Sequence, residues 1–119
     1  MTQYLISFDE HAMDHIPEVD MPAVAKAAHS VVQEAIDAGV YVSAGGLQPA
    51  RIVATDGTVA DGSFLETIGG FTLIEVSSPE EALEWAHKLA AAVRCAQQFR
   101  EIGPDPELDV MIREVARRR

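Results

Sequence analysis

The chain has 119 residues, 48% of them hydrophobic and 24% charged, and a net charge of −10. This mixture excludes a disordered or fibrous protein and predicts one compact domain, because a chain of this size buries roughly two-thirds of its unfolded surface. No apolar run reaches the ~18 residues of a membrane span, and residues 1–4 lack the basic flank of a signal peptide. Together with the single Cys95, these features predict a cytoplasmic protein without disulfides or membrane association.

Charge is distributed unevenly along the chain. Nineteen acidic residues stand against nine basic ones, and the last seven positions hold four of the latter: Arg113, Arg117, Arg118 and Arg119. Nucleic-acid binding is not expected, because it needs a basic surface opposite the phosphates. The arginines are typical of the last turn of a helix, where the dipole favours cations, and a docking tag is the alternative interpretation.

A strand and a helix are predicted first. Residues 3–8 form a short β-rich apolar run that predicts a buried strand, and the polar residues 9–20 predict a loop. A helix is expected to begin after Asp20, its N-cap, and to end at Gly39, a left-handed cap. Its apolar stripe consists of Val24, Ala28, Val31 and Ala35.

A second strand and a hairpin are predicted next. Residues 40–47 favour a strand, in which Gly45 and Gly46 indicate either a bulge or a close approach to the backbone. The pair Asp56-Gly57 lies between two short apolar runs. This pattern predicts a hairpin with a two-residue turn.

The clearest strand signal comes after the hairpin. Residues 71–76 are apolar on nearly both faces, which predicts a central strand.

Ser78 and Glu81 form a capping box at the start of a second helix. Residues 94–102 predict a last strand, and residues 108–118 predict a short helix. The core stripe expected on the second helix is Ala82, Leu83, Ala86, Leu89 and Ala90.

This order of elements predicts an α+β fold. Its core is a ferredoxin-like split β-α-β antiparallel sheet with both helices on one face, an inserted β-hairpin and a C-terminal helical extension. We assign residues 1–103 to the domain and residues 104–119 to the extension. Because the central strand also needs burial on its second face, two subunits are expected to pack their sheets or edges together as a homodimer.

A group of short motifs resembles a known family. The segment Asp61-Gly62-Ser63-Phe64, followed by Gly69-Gly70 before the central strand, resembles the YCII-related family in the branch named for its Asp-Gly-Pro-Phe motif. The Gly46-Leu47-Gln48-Pro49 segment and the Glu81-Ala82-Leu83-Glu84-Trp85-Ala86 segment fall in the family's order, so the resemblance covers residues 4–102. Ser63 stands where the motif has proline, which loosens a rigid turn because serine does not fix φ.

The resemblance implies a dimeric ferredoxin-like protein with a pocket near the Asp-Gly motif. Some relatives act on small, often aromatic compounds with a His and Asp pair, including dehalogenation of a hydroxylated ring, and other domains of this branch accompany transcription regulators. In catalytic relatives the Asp lies two residues before the Gly that closes the first helix, where this chain has Asp37. His29 lies one residue away from the family's His position, a shift that turns a helical side chain by ~100°.

Three residues are candidate catalytic groups. Asp61 precedes a glycine in a loop, where burial in a pocket would raise the pKa of its carboxyl and suit it to acid/base catalysis. The alternative is an Asx-type turn residue. His29 and Asp37 are eight residues apart, which places them ~80° apart around a helix and about 12 Å apart along it. For His29 a partly buried structural role is the alternative. The candidate ligand-binding residues are Gly46, Gln48, Gly62, Ser63 and Phe64.

Other polar residues have simpler explanations. His11 and His15 lie among acidic residues and favour a solvated acidic loop over a metal site. Cys95 is interpreted as a small core residue. Neither a metal nor a cofactor is expected. The sequence thus predicts a small dimeric protein that binds a small organic molecule and acts on it by acid/base chemistry; the alternative is a non-catalytic binding or regulatory module of the same fold.

Overall fold

Six strands and three α-helices are formed by the described part of the chain. The computed structural model describes residues 1–118. The elements are β1 (Thr2–Asp9), α1 (Met21–Asp37), β2 (Tyr41–Gly46), β3 (Arg51–Val53), β4 (Val59–Asp61), β5 (Ile68–Val76), α2 (Pro79–Val93), β6 (Gln98–Glu101) and α3 (Pro106–Arg117), with a 3-10 turn at Glu18–Asp20 before α1. The predicted order of strands and helices is confirmed.

The main sheet has four antiparallel strands in the order β2-β5-β1-β6, and β3 pairs with β4 in a separate hairpin. This strand order is consistent with the predicted ferredoxin-like arrangement, in which β5 is central. Mixed α+β architecture around an antiparallel sheet is therefore confirmed. The division at residue 103 stays a prediction, as does the homodimer.

One face of the sheet carries the core. Tyr4 and Ile6 of β1 and Ile74 and Val76 of β5 are buried on this face. Side chains of both long helices pack onto them, so α1 and α2 cover the same face, as predicted. The helix residues of this cluster are Val31, Ala82, Ala86 and Leu89. Leu83 was expected in the core stripe, but it is 55% exposed because the buried positions of α2 follow the line through Ala82, Ala86 and Leu89.

The helix ends follow the predicted capping with two differences: the Glu81 carboxylate accepts from Ser77 Oγ, so the predicted capping box is half formed, and Asp20 does not cap α1. Ser78 Oγ accepts a hydrogen bond from the backbone N–H of Glu81 at 3.2 Å, and Gly39 ends α1 with φ of +75°. Asp20 occupies the N-cap position of α1 but its side chain makes no cap hydrogen bond. Its carboxylate instead accepts from Arg94 Nη1 at 3.2 Å, which ties the start of α1 to the end of α2.

Two local details differ from the sequence predictions. The irregularity in β2 lies between Tyr41 and Ser43, so the bulge alternative at Gly45 and Gly46 was wrong, whereas the other alternative, a close approach to their backbone, stays a prediction. The hairpin turn spans residues 54–58 instead of two residues, because only Gly57 has positive φ and a two-residue type I′ turn needs it at both central positions. Hydrogen bonds from Thr58, through its side chain and its N–H, lower the pKa of Asp56 in this turn.

Gly69 and Gly70 lie under the protein's own chain. A Cβ at Gly69 would sit 2.7 Å from the Cα of Glu10, and a Cβ at Gly70 would sit 2.5 Å from Cζ of Phe8. The close approach comes from the β1 strand and its irregular end, where the register with β5 shifts between Phe8 and Asp9. These glycines therefore leave room for the Phe8 ring and for the backbone that follows β1.

The last helix stands apart from the core. No residue of α3 is buried, and the Cα radius of gyration of 16.5 Å exceeds the roughly 13.5 Å of a compact chain of this length. Within residues 1–118, no helix combines the length and apolar character needed to cross a membrane.

Candidate functional site

A cavity of about 460 Å³ lies between α1 and the helix-covered face of the sheet. Its walls come from α1, from β2 between Tyr41 and Gly46, from Thr72 of β5 and from the end of α2. Met13, in the loop after β1, completes the lining on one side. The volume falls within the range of small-molecule sites.

Small side chains on facing elements leave this space unfilled. Ala25 and Ala28 of α1 line the cavity opposite Ala44, Gly45 and Gly46 of β2. Alanine and glycine contribute little side-chain volume, so they leave part of the space between α1 and β2 unfilled at these positions.

Four polar side chains interrupt an otherwise apolar lining: His29, Tyr41, Thr72 and Gln97. His29 is exposed on α1, whereas Thr72 is 9% exposed at the sheet surface. No Asp, Glu, Lys or Arg belongs to the lining among residues 1–118. The cavity can therefore offer hydrogen bonds and one imidazole to a ligand, but no fixed charge.

The structure does not bring the three candidate catalytic residues into one cavity. His29 lines the cavity under α1. Asp37, at the end of the same helix, accepts a hydrogen bond from Gln33 Nε2 at 3.0 Å. Asp61 lies in the hairpin, where its side chain is 95% exposed and 3.6 Å from Nε of Arg51. The catalytic roles of all three residues stay predictions.

The candidate ligand-binding residues divide in the same way. Gly46 lines the cavity under α1, whereas Gly62 and Ser63 line a separate groove with Asp61. This second groove also includes Glu10. Gln48 and Phe64 line neither of these two spaces, and Phe64 is 76% exposed.

His11 forms contacts within its own loop. Its Nδ1 lies 3.1 Å from a carboxylate oxygen of Asp14, and its Nε2 lies 3.2 Å from one of Glu10. The ring is largely exposed. In the part of the chain that the structure describes, no three His, Cys, Asp or Glu side chains are grouped so that they could hold a metal ion.

Sequence reasoning did not single out Met13, Tyr41, Thr72 or Gln97. Thr72 carried a usable signal, because it is the one polar residue in the apolar run of residues 71–74 and shares a face with the buried Ile74. Met13 and Gln97 come from loops, whose positions no periodic pattern describes.

Cys95 borders the apolar group beneath the cavity. It packs against the cluster of Ile16, Val24 and Val93, and the last two line the cavity. Burial raises the pKa of the Cys95 thiol, an effect partly offset by its hydrogen bond with Gln97. The thiol is thus held in its neutral form over a wider pH range than a free cysteine.

Alkylation of Cys95 by iodoacetamide is expected to follow this shift. The reacting species is the thiolate, so a raised pKa moves the rise of the rate with pH to higher values in the folded protein than in the urea-unfolded chain. Stability is expected to fall as pH rises above the thiol pKa of the unfolded chain, because only the unfolded chain ionises there. An alkylation midpoint equal to or below that of the unfolded chain would contradict the burial argument.

Comparison with known proteins gives a similarity in fold. No family model matches the chain, and no curated protein matches it significantly in sequence. The solved structure of 5-chloro-2-hydroxyhydroquinone dehydrochlorinase (TftG) from Burkholderia phenoliruptrix AC1100, in complex with 2,5-dihydroxybenzoquinone, is similar with a TM-score of 0.52. The two chains are 13% identical, and the match covers 88% of this chain and 96% of that one. At this identity the similarity shows a shared α+β fold.

Proposed function

We propose that the chain is a YCII-related protein that binds a small organic molecule in the cavity under α1. The observation that carries this proposal is an apolar cavity of about 460 Å³ with hydrogen-bonding groups from His29, Tyr41, Thr72 and Gln97. A protein of similar fold binds 2,5-dihydroxybenzoquinone, which supports a flat, oxygen-bearing ring as the ligand type.

In this proposal His29 carries the acid/base chemistry, without a cofactor. An imidazole can accept a proton from a ligand hydroxyl and return it, and among residues 1–118 His29 is the only histidine that lines the cavity. Asp61, Gly62 and Ser63 belong to the separate groove beside the hairpin. The roles predicted for Asp61 and Asp37 would require that the ligand or a further element reach them.

The alternative is a non-catalytic binding module. The absence of a carboxylate beside His29 in the described lining favours it, because catalytic imidazoles are commonly oriented by a carboxylate on the second nitrogen. Both proposals place the ligand in the same cavity, so binding and turnover need separate measurements.

A homodimer is part of the proposal. The sheet face opposite the helices carries Leu5 and Leu73, which are half-buried and which no helix among residues 1–118 covers. A second copy of this chain is the occupant that the sequence predicts for an apolar surface of this kind.

Titration with 2,5-dihydroxybenzoquinone, followed by calorimetry and amide NMR shifts, tests the binding site. Ala25→Phe places a ring at the cavity wall and is expected to raise the Kd by about tenfold or more, since a blocked pocket loses its apolar contacts. Ala23→Phe is the matched control, because Ala23 is an exposed residue of the same helix outside the lining. The control should bind as the native protein does.

The position of the binding site and the catalytic role of His29 are tested by different measurements. The cavity proposal would be overturned if the ligand-induced NMR shifts were concentrated around Asp61 and Ser63 and the Kd of the Ala25→Phe variant equalled that of the native protein. Chloride release from 5-chloro-2-hydroxyhydroquinone that is lost in His29→Gln while binding persists would support acid/base catalysis by His29. Binding without chloride release would favour the non-catalytic module for this substrate.

A further inference from the structure

Gln97 is a half-buried polar residue of the cavity lining whose side-chain amide is held by a neighbour. Its nitrogen Nε2 donates to the carbonyl oxygen of Cys95 at 3.3 Å and to Sγ of the same residue at 3.6 Å. Cys95 packs in the apolar cluster beneath the cavity and does not belong to the lining itself. The donor end of the Gln97 amide is therefore engaged by a residue outside the cavity wall.

The orientation of this amide follows from the chemistry of its partner. A backbone carbonyl can only accept, so the reverse orientation would set Oε1 of Gln97 against the Cys95 oxygen with no hydrogen between them. Within residues 1–118, Oε1 accepts no hydrogen bond, and no side-chain nitrogen or oxygen is both fully buried and without a partner. Oε1 is thus accessible, and it is the polar atom of Gln97 that remains for a ligand.

The other polar groups of the lining can adapt to a ligand. The hydroxyls of Tyr41 and Thr72 rotate and can donate or accept, and a neutral imidazole such as that of His29 offers one donor and one acceptor. Gln97 cannot reverse its amide without losing both contacts with Cys95. One position of the cavity wall is therefore an acceptor only, and a ligand atom beside it needs a hydrogen to donate.

We infer that the side-chain oxygen of Gln97 selects ligands that present an O–H or N–H group at this end of the cavity. A ring hydroxyl pairs with Oε1, whereas an ether or carbonyl oxygen in the same place leaves two acceptors facing each other without a hydrogen bond. Among oxygen-bearing rings, phenols and hydroquinones are therefore favoured over the corresponding ethers. This selection rests on the proposed function, because it needs a ligand in the cavity under α1.

Titration of the full 119-residue chain with a matched pair of probes, followed by amide NMR shifts, tests the selection. The probes are hydroquinone and hydroquinone dimethyl ether, which has the same ring and oxygens but no hydrogen to donate. Gln97→Met keeps the length of the side chain and removes the acceptor. We expect its Kd for hydroquinone to rise about tenfold, the factor that corresponds to one net hydrogen bond. Its Kd for the dimethyl ether should stay unchanged or fall.

Gln98→Met is the matched control for this substitution. It makes the same chemical change at the next residue, which lies at the start of β6 and outside the lining of the cavity under α1. This control should keep the native Kd for both probes. Circular dichroism should show that both variants are folded.

The possible results distinguish the role of Gln97 from the cavity site. If Ala25→Phe weakens hydroquinone binding and Gln97→Met does not, the role of Gln97 is overturned and the cavity site stands. A rise of the Kd for both probes by the same factor in Gln97→Met would indicate a role in cavity shape and would also overturn the selection, as would an equal effect of Gln98→Met. If neither probe binds, or if Ala25→Phe leaves both Kd values unchanged, the proposed function fails and the role of Gln97 fails with it.

Discussion

Gly69→Ala is expected to lower the free energy of unfolding by about 2 kcal/mol or more, at the upper end of what one added methyl group costs in a packed interior. The new Cβ would lie 2.7 Å from the Cα of Glu10 and 3.3 Å from the carbonyl oxygen of Asp9. Both are backbone atoms, so relief requires the end of β1 to move. That movement would weaken the hydrogen bond from the N–H of Glu10 to the carbonyl of Thr67.

Gly45→Ala is the control for this substitution. Gly45 pairs with Phe71 on the neighbouring strand, and a Cβ there meets nothing within 4 Å. Alanine restricts the unfolded chain more than glycine does, so this variant should be neutral or slightly more stable. Urea unfolding measures the free energy of unfolding of both variants, and unchanged m-values would show that the comparison is valid. Equal stability of the two variants would show that the close approach of the backbone at Asp9 and Glu10 to Gly69 does not exclude a side chain there.

Ile74→Ala is expected to destabilise the protein by about 3 to 4 kcal/mol, the usual cost of deleting a fully buried branched side chain. Ile74 is 1% exposed at the centre of the sheet and packs with the cluster formed by β1, α1 and α2. The helices that cover Ile74 are held by other contacts and cannot move into the void that the shortened side chain leaves. Most of this void therefore persists, and its cost adds to the lost free energy of transfer.

Leu73→Ala serves as the comparison for this core substitution. Leu73 is the next residue of β5, but it lies on the face opposite the helices and is half-buried. In a subunit whose open face remains in water, its loss should cost only about 1 kcal/mol. A cost close to that of Ile74→Ala, dependent on protein concentration, would show that a second copy covers this face.

The end of β1 that constrains Gly69 also contributes to the ligand cavity. Phe8 lies against Gly69 and Gly70 and belongs to the lining under α1. The absence of side chains at the two glycines leaves the space that the Phe8 ring occupies. Substitution of Gly70 should therefore affect ligand binding through the position of Phe8 as well as stability.

Local sequence patterns determined the elements of this protein. The Ser78 N-cap, the positive φ of Gly39 and the alternation of buried residues in β5 all depend on hydrogen bonds and sterics within a few residues. Their order then determined the α+β class and the strand order, because few connections of such elements are sterically favourable. These features could be predicted without tertiary information.

Only the tertiary structure decided which residues share a site. His29 shares a cavity with Tyr41, Thr72 and Gln97, which come from elements far apart in sequence, and small residues of α1 and β2 leave part of that space unfilled. Asp61 lies elsewhere because the direction of the β3–β4 hairpin depends on its turn and on few contacts with the main sheet. A local sequence pattern can predict each helix or strand, whereas the distance between two elements depends on how all the side chains between them pack.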